Sequence, residues 1–131
     1  MIDPHPSGRP LHVAVVEDDA DMLDLLVLLL RELAQWQVSS FRSGAAFLEA
    51  AEELQPLHLL LVDHRMVPVS GPEILTGLAA RGLRTCPAVY LSGMRPSEED
   101  LRLADGFVMK PFTFDELMVA LQRFLPGESA S

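Results

Sequence analysis

Five short segments of this chain read as strands, and stretches with the period of a helix separate them. The strand candidates are "LHVAVV" (11–16), "WQVSSF" (36–41), "HLLLVD" (58–63), "PAVYLS" (87–92) and "GFVM" (106–109). Their apolar residues come in largely continuous runs. A strand with one wet face alternates apolar and polar residues, whereas a strand covered on both faces need not. Regular strand–helix alternation with two-sided burial restricts the chain to a doubly wound α/β domain: a five-stranded parallel sheet with five helices, in three layers. In such a sheet the ligand crevice lies beyond the carboxyl ends of the strands, where the strand order reverses. Those ends carry Glu17, Asp18 and Asp19 after the first strand and Asp63 after the third. Ser92 follows the fourth strand and Lys110 the fifth.

The helices carry their own start signals. The first is predicted from Asp19, its N-cap, to about Gln35, with Met22, Leu25, Leu26, Leu29 and Leu33 as its inward stripe. Leu23, Val27 and Leu30 widen that stripe, and Leu28 falls among Asp21, Asp24 and Arg31 on the polar side. Ser43 caps a second helix running to Leu54, which turns Phe47, Leu48, Ala51 and Leu54 inward. Gly71 and Pro72 open a third, to about Arg81, with proline at its first position. The fourth starts at Pro96 and Ser97 and ends by Ala104. The last starts at Thr113, where Thr113 and Glu116 have capping-box spacing and Phe112 and Leu117 can form the hydrophobic staple. Residues 11–125 are thus expected to form one domain, with a flexible Pro-rich N-terminal tail at 1–10 and a short C-terminal tail at 126–131. With 131 residues, 49% of them hydrophobic, the chain can bury a single core.

Charge and cysteine usage narrow the function classes. A net charge of −9 opposes attraction to nucleic acid or an anionic membrane, so neither is expected as a direct partner. Cys86 is the only cysteine, which excludes an intrachain disulfide and points to the reducing cytoplasm, with the thiol packed as a small hydrophobe. The longest apolar run, 25–30, falls far short of the roughly 18 residues of a membrane span, and no secretory signal opens the chain. His5, His12 and His58 lack ligand-like spacing. His64 is read as a solvated loop histidine, and Trp36 and Phe41 as packing residues.

The chain has one lysine against nine arginines. An ammonium is a compact charge on a flexible stem, suited to following a small anion as it changes. Carboxylates gathered at the strand ends would repel one another unless a divalent cation or that lysine sits among them. A hard cation such as Mg²⁺ takes a couple of carboxylates, a main-chain carbonyl and waters, and then bridges to phosphate oxygens. Asp63, ending a buried strand, is the candidate nucleophile, since carboxylates form acyl phosphates. A hydroxyl from Ser92 and the ammonium of Lys110 would help to neutralise the transferring group. Lys110 can pair with Asp63 before modification and with the new phosphoryl oxygens after it.

"VVEDD", "LLLVDHRM", "VYLSG" and "FVMKPF" stand in this order across 11–125. In these the chain resembles a response-regulator receiver domain of two-component signalling, similar to the chemotaxis regulator, with its flavodoxin-like fold. The resemblance implies that Asp63 is the phosphoacceptor, charged by a histidine kinase or a histidine phosphotransfer protein. Asp18 is implied as the direct ligand of Mg²⁺ (or Mn²⁺), with Glu17 acting through water and the main-chain carbonyl of Arg65 completing the site. Ser92 is the switch hydroxyl and Phe107 the coupled aromatic. The Lys110–Pro111 bond is expected to be cis. Receivers commonly dock phosphodonor helices beside the first helix, and Leu28 is the candidate contact there. Such a domain catalyses only its own phosphorylation and dephosphorylation, and signals to a downstream protein effector, with a homodimer as one outcome. A DNA-binding or catalytic output is expected on a separate protein or outside this sequence.

Departures from the family pattern individualise the chain. In "DHRMVPVSG" the proline comes five residues after the aspartate instead of four, which implies a rebuilt loop. Eighteen positions separate Ser92 from Lys110, about one helical turn less than the family pattern, so the fourth helix should be short. Arg65 and Met94 stand where smaller or more polar side chains are common and flank the path of attacking water, which points to an altered lifetime of the phosphorylated form. The first rival reading is an interaction module with this fold that signals without phosphorylation. A phosphatase of the haloacid-dehalogenase type would want a second aspartate two after the first, where Arg65 stands. A flavodoxin-like nucleotide binder would want a Gly-rich or hydroxyl-rich loop after the first strand.

Overall fold

A computed structural model describes residues 10–125; the expected tails lie, apart from Pro10, outside the described residues. The elements alternate from end to end: β1 (His12–Val16), α1 (Ala20–Glu32), β2 (Gln37–Phe41), α2 (Gly44–Ala50), β3 (Leu59–Asp63), α3 (Gly71–Ala80), β4 (Ala88–Ser92), α4 (Glu98–Leu101), β5 (Gly106–Met109) and α5 (Phe114–Leu121), the last running into a 3-10 turn at Gln122–Phe124. All four strand pairings are parallel and the order is β2-β1-β3-β4-β5. The order reverses between β1 and β3, which places the crevice above Val16 and Asp63.

Successive strand residues point to opposite faces of the sheet, and the core divides accordingly. Val13, Val15, Leu59, Leu61, Val89 and Leu91 pack under α1 and α5. Ala14, Val16, Leu60, Val62, Ala88 and Tyr90 pack under α2 and α3. Every residue of β3 and of β4 is buried, as continuous apolar runs require.

The helix starts follow local chemistry. The side chains of Asp19, Ser43, Ser70, Ser97 and Thr113 each accept from a backbone N–H in the first turn, and Ser70–Glu73 and Thr113–Glu116 close full capping boxes. Phe112 packs against the cluster that holds Leu117, as the staple requires. Helix ends are shorter than predicted. The first helix stops at Glu32, and Gln35, at φ 60°, turns the chain into β2. The second stops at Ala50, with 51–54 forming a turn.

The inward stripe of α1 also differs from expectation. Leu23, Leu26 and Leu30 are buried, whereas Leu25 and Leu33 are exposed. Leucines crowd this helix so densely that two stripes are apolar, and only the sheet's position selects one. The other stripe, Met22, Leu25 and Leu29, lines a small groove with Phe112, Phe114 and Leu117 of the neighbouring α5 region. The fourth helix is a single turn of four residues, as the short spacing implied.

Candidate phosphoacceptor site

Four strand ends build the site. Asp63 closes β3 and pairs in register with Leu91 of β4. Glu17 follows β1 directly, its N–H donating to the Phe41 carbonyl at 3.0 Å, and it is fully buried. Lys110 follows β5, its N–H donating to the Ser92 carbonyl at 2.7 Å, and the Lys110–Pro111 bond is cis, as expected. The lysine Nζ donates to Glu17 Oε1 at 3.0 Å and to Asp63 Oδ1 at 3.2 Å. Glu17, Asp18 and Asp63 each bring a carboxylate oxygen to within 4.8 Å of the others. Asp18 is exposed, and the rebuilt loop after β3 opens beside it on a cavity of about 520 Å³.

Charges this close perturb one another. Burial, then the neighbouring Glu17 carboxylate, push the Asp63 carboxyl up from 3.8 to about 7, against the pull of Lys110. Burial works against the Lys110 ammonium, but its hydrogen bond to Glu17 and the charges of Asp63 and Glu17 outweigh that and hold it above the ordinary lysine range. One lysine therefore stays charged between two carboxylates that it only partly compensates. Three hard oxygen donors with residual negative charge match a divalent cation of the Mg²⁺ type in ligand chemistry.

The remaining predicted residues have distinct settings. Ser92, 2% exposed, donates its hydroxyl proton to the Met94 carbonyl. Arg65 lines the cavity, and its guanidinium lies 3.1 Å from the Met94 sulfur. Phe107, half-buried on β5, carries the Arg95 guanidinium 5.5 Å from its ring centre. Leu28, 56% exposed, stands in the second half of α1.

His64 is a correction. It is not solvated: it is 7% exposed, with Nε2 2.8 Å from Asp100 Oδ2 and Nδ1 3.4 Å from Ser92 Oγ. The ring is enclosed by residues distant in sequence, with the Tyr90 ring 4.9 Å away and Asp100 and Ser92 at its two nitrogens. Asp100 was not singled out from sequence, where it reads only as part of the acidic start of a helix; no spacing rule links it to a residue 36 positions earlier.

A doubly wound sheet with an acidic, lysine-bridged crevice at its switch point defines the class: a flavodoxin-like domain with its polar pocket at the carboxyl ends of the strands. Residues 13–122 match the response regulator receiver domain, and the chain belongs to that family, the receiver domains of two-component systems. The transcriptional regulatory protein FixJ of Azorhizobium caulinodans is 35% identical over 128 residues, covering 95% of this chain and 58% of the relative. KdpE of Mycobacterium tuberculosis is 31% identical over 123 residues, covering 91% and 53%. The chain thus spans about half the length of these curated relatives. The chemotaxis protein CheY4 of Vibrio cholerae superposes with a TM-score of 0.81 at 21% identity, over 88% of this chain and 99% of that one, a likeness of fold. Receiver domains bind Mg²⁺ at an acidic pocket, and this chain has an acidic cluster of that kind. Among the described residues no helix is long and apolar enough to cross a membrane.

Proposed function

We propose that this chain accepts a phosphoryl group onto Asp63 from the phosphohistidine of a histidine kinase or phosphotransfer protein, in the cytoplasm, and signals through a protein partner. The observation that carries the reading is the Lys110 ammonium bridging Glu17 and Asp63 at the switch point. In the transfer, an Asp63 carboxylate oxygen forms the new bond to phosphorus as the phosphorus–nitrogen bond of the donor breaks, and the imidazole leaves with the electron pair. Lys110 moves its hydrogen bond from Asp63 to a phosphoryl oxygen, and the Ser92 hydroxyl leaves the Met94 carbonyl for another. Mg²⁺ or Mn²⁺, held by Asp18, Asp63, Glu17 and the Arg65 carbonyl, would supply charge neutralisation of the phosphoryl oxygens. Hydrolysis of the acyl phosphate by water, within the same site, ends the signal. Phe107 fills the space that Ser92 gives up. The donor helix docks on α1, where Leu25 and Leu28 are both more than half exposed.

Incubation with acetyl phosphate and Mg²⁺ is expected to add one phosphoryl group to the chain, and none to Asp63→Asn or in the presence of a chelator. An equal adduct on Asp63→Asn overturns the assignment. No adduct on the unsubstituted chain favours the phosphorylation-independent interaction module.

A further inference from the structure

His64 is a buried imidazole for which the phosphoacceptor reading has no use, and it joins the site to α4. Its backbone is fixed on both sides, the N–H donating to the Leu91 carbonyl at 2.9 Å and the carbonyl accepting from Gly71 N–H at 3.1 Å. Its ring lies 4.9 Å from that of Tyr90, and the Tyr90 hydroxyl donates to the Asp100 carbonyl at 2.9 Å. The four-residue α4 has no buried residue of its own. Two side chains of the strand ends therefore hold it at Asp100: Tyr90 by the backbone and His64 by the carboxylate.

Tautomer logic gives the ring a second role. Nε2 faces a carboxylate, so it carries the N–H, and in the neutral ring Nδ1 is then an acceptor. Facing it is Ser92 Oγ, which has one proton and gives it to the Met94 carbonyl. In the resting arrangement two lone pairs therefore face each other across 3.4 Å with no proton between them, a contact that departure of the hydroxyl relieves. The order hydroxyl, imidazole, carboxylate is also that of an acyl-transfer triad, but Ser92 is too deeply buried for an acyl substrate to reach it.

Resting on the phosphoacceptor reading, we infer that His64 is a positioning residue that couples Ser92 to α4: the ring holds Asp100 with one nitrogen and senses the switch hydroxyl with the other. When Ser92 leaves for the phosphoryl group, Nδ1 loses its facing hydroxyl, the ring resettles against Tyr90, and Asp100 moves with it. The link from the switch hydroxyl to α4 then runs through an imidazole that takes no part in the phosphoryl chemistry.

The test labels the full chain with acetyl phosphate and Mg²⁺ and follows ¹⁵N shifts of the 97–103 amides and of the His64 ring. In the unsubstituted chain both sets are expected to shift on labelling. His64→Phe keeps a ring against Tyr90 but no hydrogen bond; it should label as fast while losing most of the 97–103 response. Asp100→Leu should lose the same response, and the double variant no more than either single, the signature of one shared link. An intact 97–103 response in His64→Phe or Asp100→Leu, or ring nitrogens that do not shift, overturns the coupling alone. Absence of label on Asp63 in the unsubstituted chain overturns the phosphoacceptor reading and the coupling with it.

Discussion

Asp63 sits where folding does it a disservice. Its carboxyl is raised from 3.8 to about 7 chiefly by burial, so above neutral pH the folded state carries a charge that it disfavours. Between those values the folded state binds more protons than the unfolded one, and stability falls as pH rises. At about 1.4 kcal/mol per pKa unit, roughly 4 kcal/mol is the ceiling of this cost. Asp63→Asn removes it. Thermal unfolding without divalent cation should show Asp63→Asn melting above the unsubstituted chain at pH 8, with the gap closing by about pH 4; a gap independent of pH sinks the assignment. Arg65 and Met94 act at the same scale. Their contact draws two bulky side chains together at the cavity that Arg65 lines, so on the proposed phosphoacceptor role of Asp63, Arg65→Asn should open a path for water and speed loss of the phosphoryl group severalfold in a phosphate-release assay. Equal rates remove that role. By contrast burial pushes the half-buried Cys86 thiol up to about 11, which disfavours its reactive thiolate form.

Elements decide how the site is presented. The loop from β3 to α3 returns so closely that a Cβ on Gly71 would stand 2.6 Å from the Asp63 carbonyl oxygen, a backbone atom with nowhere to go. Gly71→Ala should therefore lower both the melting temperature and the labelling rate of Asp63, whereas Ser70→Ala, losing only a capping box, should cost about 1 kcal/mol and leave labelling unchanged. Equal effects of the two would show that the close approach does not matter. On α1, Leu28→Glu should slow transfer from a protein donor while leaving acetyl phosphate labelling as it was; equal slowing of both argues against docking there. The capping residues of four helices, Asp19, Ser43, Ser97 and Thr113, were legible in sequence because a cap is a local event, set by a side chain and an N–H three residues on, whereas at the third the Gly71-Pro72 signal drew the reading past Ser70, which is the cap. The buried face of α1 was not. Leucines at 23, 25, 26, 28, 29 and 30 make more than one stripe apolar, and the choice belongs to the sheet underneath. His64 is illegible for a related reason: a histidine after a strand reads as a loop residue, and the Tyr90, Ser92 and Asp100 side chains that surround it stand 26, 28 and 36 positions further on.

At the scale of the whole molecule, the site is a consequence of topology. Lys110 meets Asp63 across 47 positions and Glu17 across 93, and nothing local joins them. They were legible together only because a parallel sheet brings its carboxyl ends to one edge, so that residue type at each strand end was enough to assemble the constellation. The cost of that assembly is electrostatic. In a chain of net charge −9, three carboxylates each bring an oxygen within 4.8 Å of the others, only two of them paired with the lysine, and their repulsion is absent from the unfolded state. A ligand that binds only the folded form stabilises it by about 2.7 kcal/mol at one hundred times its dissociation constant. For a domain of this size that corresponds to a rise in melting temperature of roughly 8 to 15 °C. MgCl₂ at pH 8 should therefore raise the melting temperature well beyond NaCl of equal ionic strength, which only screens. Asp18→Ala, removing the exposed carboxylate, should abolish most of the difference while leaving the Lys110 bridge in place. If NaCl matches MgCl₂, the three carboxylates are neighbours without a shared cation, and the lysine alone must hold the crevice together.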